Sequence, residues 1–208
     1  MFDAARVTEM SIKGAYRIVP NKIPDLRGSF FEAFRAETLT EIIGYPFTVG
    51  QANYSVSRRN TMRGIHSTFL PPGQAKLVTC VRGAVLDVAV DLRVGSPTFG
   101  TYDMTPQDEE SGTAVYLADG IGHAFLTLTD NACMNYLCSE AYVPGTMIEV
   151  NPLDPDIGIP WGLTEPPVMS EKDASAPTLA EAVSQGLLPT YEECLAHYAA
   201  LGKGAAGA

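Results

Sequence analysis

A chain of 208 residues, 46% hydrophobic and 18% charged, is long enough to bury a complete core as one domain, a size that all-β domains often reach. Its net charge of −10 argues against nucleic acid or an anionic membrane as partner, since both demand an excess of Lys and Arg; an anionic small molecule fits only where positive charges cluster locally. No apolar run of about 18 residues marks a membrane span, and Asp3, Arg6, Glu9 and Lys13 stand where a signal peptide would be apolar, so a cytoplasmic location is expected.

Gly and Pro spread along the chain punctuate short segments rich in Val, Ile, Leu, Phe, Tyr and Thr, the pattern of an antiparallel sandwich or barrel. There is no linker and no internal repeat. In chain order, residues 35–43 predict a short helix closed by Gly44, residues 47–56 a strand, and the segment around His66 has β character. The clearest hairpin spans residues 76–91 with a turn near Arg82-Gly83. In its second strand Leu86, Val88 and Val90 alternate with Asp87, Ala89 and Asp91, giving one apolar face and one face with two carboxylates. Further strands are expected at 114–117, 124–128 and 132–139, and this spacing fits a jelly roll. Thr178-Leu179-Ala180-Glu181 and Thr190-Tyr191-Glu192-Glu193 both match the capping box that starts helices. The expected organisation is a single domain: a core over 10–175, a helical cap over 176–201 and a fraying Gly/Ala-rich tail over 202–208. Cys80, Cys133, Cys138 and Cys194 form no CxxC pair and sit mostly in apolar stretches, as reduced core thiols do.

The chemistry concentrates in Met62-Arg63-Gly64-Ile65-His66 and Gln74-Ala75-Lys76-Leu77-Val78. A histidine is the natural general base at neutral pH, and a nearby Lys or Arg can hold the enolate oxygen formed when a proton leaves carbon beside a carbonyl. Arg63, His66 and Lys76 are costly to bury without an anionic partner, so together they suggest an anion-lined pocket. A lone histidine is more often structural. His123, in Gly120-Ile121-Gly122-His123 at the mouth of a strand, reads equally as a loop-fixing residue or a pocket residue, and His197 as a surface residue. Alternation puts Met134, Tyr136 and Cys138 on one face; tyrosine there is usually core, but on a cavity wall its phenol could return a proton opposite His66. Asp173 reads locally as a loop carboxylate. No metal is expected, because Thr68 stands two after His66 and the chain has no His-x-His pair. A P-loop, a G-x-S-x-G elbow and a dinucleotide fingerprint are all missing.

Taken in order, Asp25-Leu26-Arg27-Gly28-Ser29-Phe30-Phe31-Glu32, Gln51-Ala52-Asn53-Tyr54-Ser55, Arg63-Gly64-Ile65-His66, Gln74-Ala75-Lys76-Leu77-Val78, Asp87-Val88-Ala89-Val90-Asp91-Leu92-Arg93, Gly95-Ser96-Pro97-Thr98-Phe99-Gly100, Gly122-His123-Ala124-Phe125 and Ser170-Glu171-Lys172-Asp173 resemble the dTDP-4-dehydrorhamnose 3,5-epimerase family over residues 10–175. The resemblance implies an all-β, cupin-type jelly roll with short C-terminal helices. It also implies a homodimer that needs no metal or other cofactor and acts on a dTDP-4-keto-6-deoxyhexose. By motif, His66 resembles the family's general base, Asp173 its partner, Lys76 the lysine that stabilises the 4-enolate and Tyr136 the acid on the opposite face. Arg27 and Arg63 are similar to its diphosphate-binding arginines, and Glu32, Gln51 and Asn53 to its nucleotide and sugar contacts. Phe30 and Tyr142 are similar to its aromatic nucleoside contacts, and His123 is carried over as a substrate-binding residue. Ser67 stands where an aromatic residue is common, Ala124 where glycine is, and Gly162 where proline is. Residues 178–191 resemble members serving antibiotic deoxysugar pathways, several of which invert one carbon only. The expected activity is therefore C3 epimerisation. The alternatives are a 3,5-epimerase, a C5-epimerase of an amino or 2-deoxy sugar, and a sugar-nucleotide-binding cupin without catalysis.

Overall fold

The computed structural model describes residues 5–205. Two antiparallel sheets dominate it. The first has the order β1 (Arg6–Glu9), β2 (Ala15–Val19), β10 (Ala114–Leu117), β7 (Lys76–Arg82), β12 (Ala132–Cys138), β5 (Gln51–Ser57). The second has the order β13 (Met147–Glu149), β6 (Met62–Thr68), β11 (Ile121–Thr127), β8 (Ala84–Asp91), β9 (Tyr102–Asp108). From β5 to β12 the chain crosses repeatedly between the sheets, giving four strands in the order β10-β7-β12-β5 against four in the order β6-β11-β8-β9. That interleaving is a jelly roll. A separate hairpin joins β3 (Ile23–Asp25) to β4 (Gly28–Phe30).

The expected hairpin over 76–91 is not one. β7 pairs with β10 and β12, whereas β8 pairs with β11 and β9, so the turn at Gly83 (φ +74°) carries the chain from one sheet to the other. A glycine turn between two alternating segments looks the same in either case; the choice is made by partners far away in sequence. The carboxylate face of β8 is turned inward, and Asp87 and Asp91 are fully buried. Val85 and Ala89 on that side join Val78, Cys80 and Met134 in the cluster between the sheets. Val88 and Val90 point the other way and pack with Ile157, Trp161, Ala182 and Leu188. The polypeptide after β13 thus covers the outer face of the second sheet, and each such large apolar side chain contributes about 1.5–3 kcal/mol on burial.

The Asp91 carboxylate accepts from Arg93 Nε at 2.8 Å, Ser96 Oγ at 2.6 Å and Thr98 Oγ1 at 2.6 Å, so both buried charges have partners. The Arg93 guanidinium lies 5.1 Å from the centroid of the Tyr191 ring. Helix α1 (Ala36–Ile43) ends at Gly44 with φ +84°, as the sequence predicts. Helix α2 (Glu171–Ala174) carries Asp173. Both expected capping boxes start helices, Thr178 with Glu181 at α3 (Leu179–Ser184) and Thr190 with Glu193 at α4 (Tyr191–Ala205). Helix α4 continues through 202–205, where a tail was expected; Ala199 and Ala200 favour helix and Lys203 suits its last turn. The rest of that expected tail, 206–208, and residues 1–4 lie outside the described residues. Among the described residues no helix is long and apolar enough to cross a membrane, and Cys80, Cys133, Cys138 and Cys194 are free thiols.

Candidate active site

Arg63 and His66 are three residues apart, so a regular strand would turn them to opposite faces. Strand β6 avoids this with a bulge: His66 pairs with His123 but Arg63 pairs with Phe125, three steps on β6 against two on β11. Gly64 makes the bulge possible. Its φ is +103°, and a Cβ there would stand 2.3 Å from the His123 carbonyl oxygen, so only glycine lets the strands approach this closely. Both side chains then face the space between the sheets.

That space is a cavity of about 420 Å³ open to solvent. Arg63, His66 and His123 reach it from the second sheet, while Lys76 and Tyr136 reach it from the first, together with Gln51 and Asn53 of β5. His66 and Tyr136 are therefore on facing walls. His66 Nε2 lies 2.6 Å from Asp173 Oδ1, across 107 positions of sequence. Asp173 is 4% exposed, and its helix is capped by Ser170, whose Oγ accepts from the Asp173 N–H at 3.0 Å. Burial by itself raises the Asp173 pKa, but hydrogen bonding and charge from His66, the Ser170 hydroxyl and the Gly64 N–H outweigh it and hold the carboxyl below its usual range. An ionised Asp173 accepts from Nε2–H, which leaves Nδ1 of His66 as the basic nitrogen.

Burial raises the Tyr136 phenol well above its ordinary pKa, with the Ser55 hydrogen bond and the Arg63 charge acting the other way. The hydroxyl stays protonated and lies 3.0 Å from Ser55 Oγ. Burial likewise lowers the Lys76 pKa, opposed by Cys138 and Asp119. Among the described residues no carboxylate is within ion-pair distance of Lys76, which leaves its ammonium for an incoming oxyanion. His123 sits in the middle of β11, not at a strand mouth, and its Nε2 is 2.6 Å from Asp87 Oδ2. That contact fixes an imidazole whose ring meets Tyr136 edge-on at 5.9 Å. Arg63 Nε donates to Ser57 Oγ at 3.0 Å. Gln51 joins Asn53 at 2.8 Å and accepts from the Tyr142 N–H at 2.8 Å, placing Tyr142 at the rim.

The structure brings nine of the twelve expected site residues to this cavity or directly behind it; Asp173 is the one behind. Arg27, Phe30 and Glu32 are not among them. They lie on or next to the β3–β4 hairpin, where Arg27 pairs with Asp25 and Glu32 with Arg35. Sequence reasoning missed Ser55, Gln74 and Lys172, which also line the cavity. For Ser55 a signal existed, since it continues the alternation of Gln51 and Asn53; for Gln74 it was the same parity as Lys76. His197, expected at the surface, is partly buried with Nε2 3.8 Å from Asp119. Among the described residues no three His, Cys, Asp or Glu side chains are placed to share a metal ion.

The model of the dTDP-4-dehydrorhamnose 3,5-epimerase family matches residues 9–181. A dTDP-4-dehydro-6-deoxyglucose 3-epimerase from a Streptomyces species is 53% identical over 183 residues, 88% of this chain and 93% of the relative. The crystal structure of ChmJ, a 3'-monoepimerase from Streptomyces bikiniensis in complex with dTDP-quinovose, superposes with a TM-score of 0.90 at 50% identity, over 93% of this chain and 98% of that one. NovW, a 4-keto-6-deoxy sugar epimerase from the novobiocin biosynthetic gene cluster of Streptomyces spheroides, does so with a TM-score of 0.89 at 47% identity, over 93% and 97%. With matching motifs, topology and near-complete coverage, this chain belongs to the dTDP-4-dehydrorhamnose 3,5-epimerase family.

Proposed function

We propose that this protein is a cofactor-independent isomerase that inverts C3 of a dTDP-4-keto-6-deoxyhexose in deoxysugar biosynthesis. The observation that carries the proposal is the pair on facing walls, an Asp173-linked His66 and a protonated Tyr136. His66 Nδ1 takes the proton from C3, next to the C4 ketone, and the electron pair moves to O4 as an enolate. The Lys76 ammonium stabilises that oxyanion, a role worth about 3 kcal/mol in comparable sites. Collapse of the enolate takes the Tyr136 hydroxyl proton at C3 from the other face, and solvent resets both groups. Arg63 serves the diphosphate, His123 the sugar, and Gln51, Asn53 and Tyr142 the nucleotide end. The 3-epimerase activity of the relatives supports C3 as the inverted carbon. The same residues serve a 3,5-epimerase if the ring can be deprotonated twice.

Arg27, Phe30 and Glu32 fit this reading in a homodimer where the β3–β4 hairpin of one subunit reaches its partner's cavity. Supporting it, Leu26 is wholly exposed and Phe30 63% exposed on the hairpin, while edge strand β5 displays Tyr54 at 68% and Val56 at 55%. The free thiols support a reducing, cytoplasmic compartment. The decisive test of the base is His66→Ala, with exchange of the ring proton followed in heavy water. Exchange is lost while dTDP binding, measured by calorimetry, persists; retained exchange removes His66 from the role.

A further inference from the structure

Lys76 ends a short segment that also supplies Gln74 to the cavity, and this segment rests on one buried carboxylate. Asp119, in the turn between β10 and β11, is 2% exposed. A Cβ on Gly73 would lie 2.3 Å from Asp119 Oδ1 and 3.3 Å from His197 Nε2. With φ at +75°, Gly73 is therefore the residue that lets the loop close onto Asp119. The Asp119 carboxylate is hydrogen-bonded by the backbone N–H of Gln74 and by its own. From the far side α4 closes over it: His197 Nε2 approaches Oδ2 at 3.8 Å, and the Tyr198 hydroxyl donates to the Asp119 carbonyl.

Other charged or titratable groups face Asp119 from each neighbouring element. They are Glu140 after β12, Tyr45 after α1, Tyr116 on β10, Cys194 on α4 and Lys76 on β7. Burial raises the Asp119 pKa, and His197 works against that rise. For Lys76 the opposing influences are Cys138 and Asp119, and Asp119 is the only carboxylate of the two. A buried acid is costly unless it is hydrogen-bonded or paired, and Asp119 has Gly73 and Gln74 on one side and His197 on the other.

We propose that Asp119 is a positioning residue of the active site: it anchors segment 73–76 through Gly73, stands as the buried carboxylate behind Lys76, two residues beyond the Lys76 strand partner Leu117, and is itself held by His197 and Tyr198 of α4. The role given to Lys76 rests on the epimerase reading; the packing of Asp119 against Gly73 does not. This makes the C-terminal helix part of the enolate-stabilising apparatus although none of its residues lines the cavity.

Two measurements on the full-length chain test it, in wild type, Asp119→Asn and His197→Gln. The first is competitive acetylation with acetic anhydride, read lysine by lysine by peptide mass spectrometry, which reports free amine without turnover. The expected result in Asp119→Asn is an acetylation rate of Lys76 at mildly alkaline pH raised about tenfold, the equivalent of one pKa unit, with Lys13, Lys22 and Lys172 unchanged. His197→Gln moves Lys76 in the same direction by less, and decides the matter if Asp119→Asn fails to fold. The second is the pH profile of kcat, whose alkaline limb moves to lower pH while dTDP affinity holds. Unchanged Lys76 labelling in a variant that still binds dTDP overturns the proposal. So does changed labelling with an unmoved kcat profile, which makes Asp119 a structural residue only. If wild type exchanges no ring proton, the epimerase reading fails, and the labelling still decides whether Asp119 governs Lys76.

Discussion

Replacing Asp173 with Asn changes one atom and keeps the side chain's volume, so it isolates the charge behind the base. In the wild type the carboxylate lies 2.6 Å from His66 Nε2 and is buried. When Nδ1 takes the substrate proton the ring becomes an imidazolium, and a neutral hydrogen bond becomes a charge-assisted one. Such bonds contribute about 1.5–3 kcal/mol, so losing the charge lowers the rate of proton abstraction about 10- to 150-fold. Asn also offers an N–H to Nε2, which favours the wrong tautomer and adds to the loss. Asp173 is behind His66 and not among the residues lining the cavity, so ground-state binding has no reason to change. The assay is the rate of deuterium entry into a dTDP-4-keto-6-deoxy sugar, followed by proton NMR, with calorimetric titration of dTDP alongside. A variant that exchanges within about twofold of wild type, with the fold intact by circular dichroism, refutes the assignment of Asp173 as partner of the base.

Tyr136→Phe removes only the second proton donor; it is expected to keep exchange while inversion slows, and inversion at the wild-type rate would mean that another acid faces His66. Lys76→Met removes a charge that burial disfavours, so it inactivates the protein yet raises Tm, where about 1 kcal/mol corresponds to about 2–4 °C for a chain of this size; a lower Tm contradicts the reading of Lys76 as a destabilising functional charge. The same group predicts a slope: its folded pKa lies below its unfolded one, so wild-type stability rises with pH approaching 10.5 and Lys76→Met lacks that rise. At the acid end, Asp173 and Asp91 are both held below the ordinary 3.8. Their stabilising contribution is complete above that value and is lost as pH falls through the folded pKa values. Thermal melts of Asp173→Asn should therefore decline less steeply than wild type at acid pH, and equal slopes would count against an ionised Asp173.

Much of this was legible because strand alternation and capping are local. The strand at 114–117 and both capping boxes appear where the spacing puts them, and Gly44 closes α1. What was not legible depends on partners distant in sequence. Whether β7 and β8 pair or cross between sheets is decided by β10, β11 and β12. The parity of Arg63 and His66 is broken by a bulge that only the approach of β11 to Gly64 explains. Asp173 looks like a loop acid until the fold delivers it to His66; family motifs identified it, and its neighbours could not. Strand β9 was not among the expected strands; it contains Pro106, which an edge strand tolerates. The hairpin carrying Arg27 was read as part of the site and stands apart from this chain's own cavity.

The central claim is that protons leave one face of the sugar and arrive on the other. Its most direct test is NMR of dTDP-4-keto-6-deoxyglucose incubated with the protein in heavy water, with the configuration at each labelled carbon read from coupling constants. The account predicts deuterium at C3 with that centre inverted; a substrate that takes up no deuterium at either C3 or C5 contradicts it.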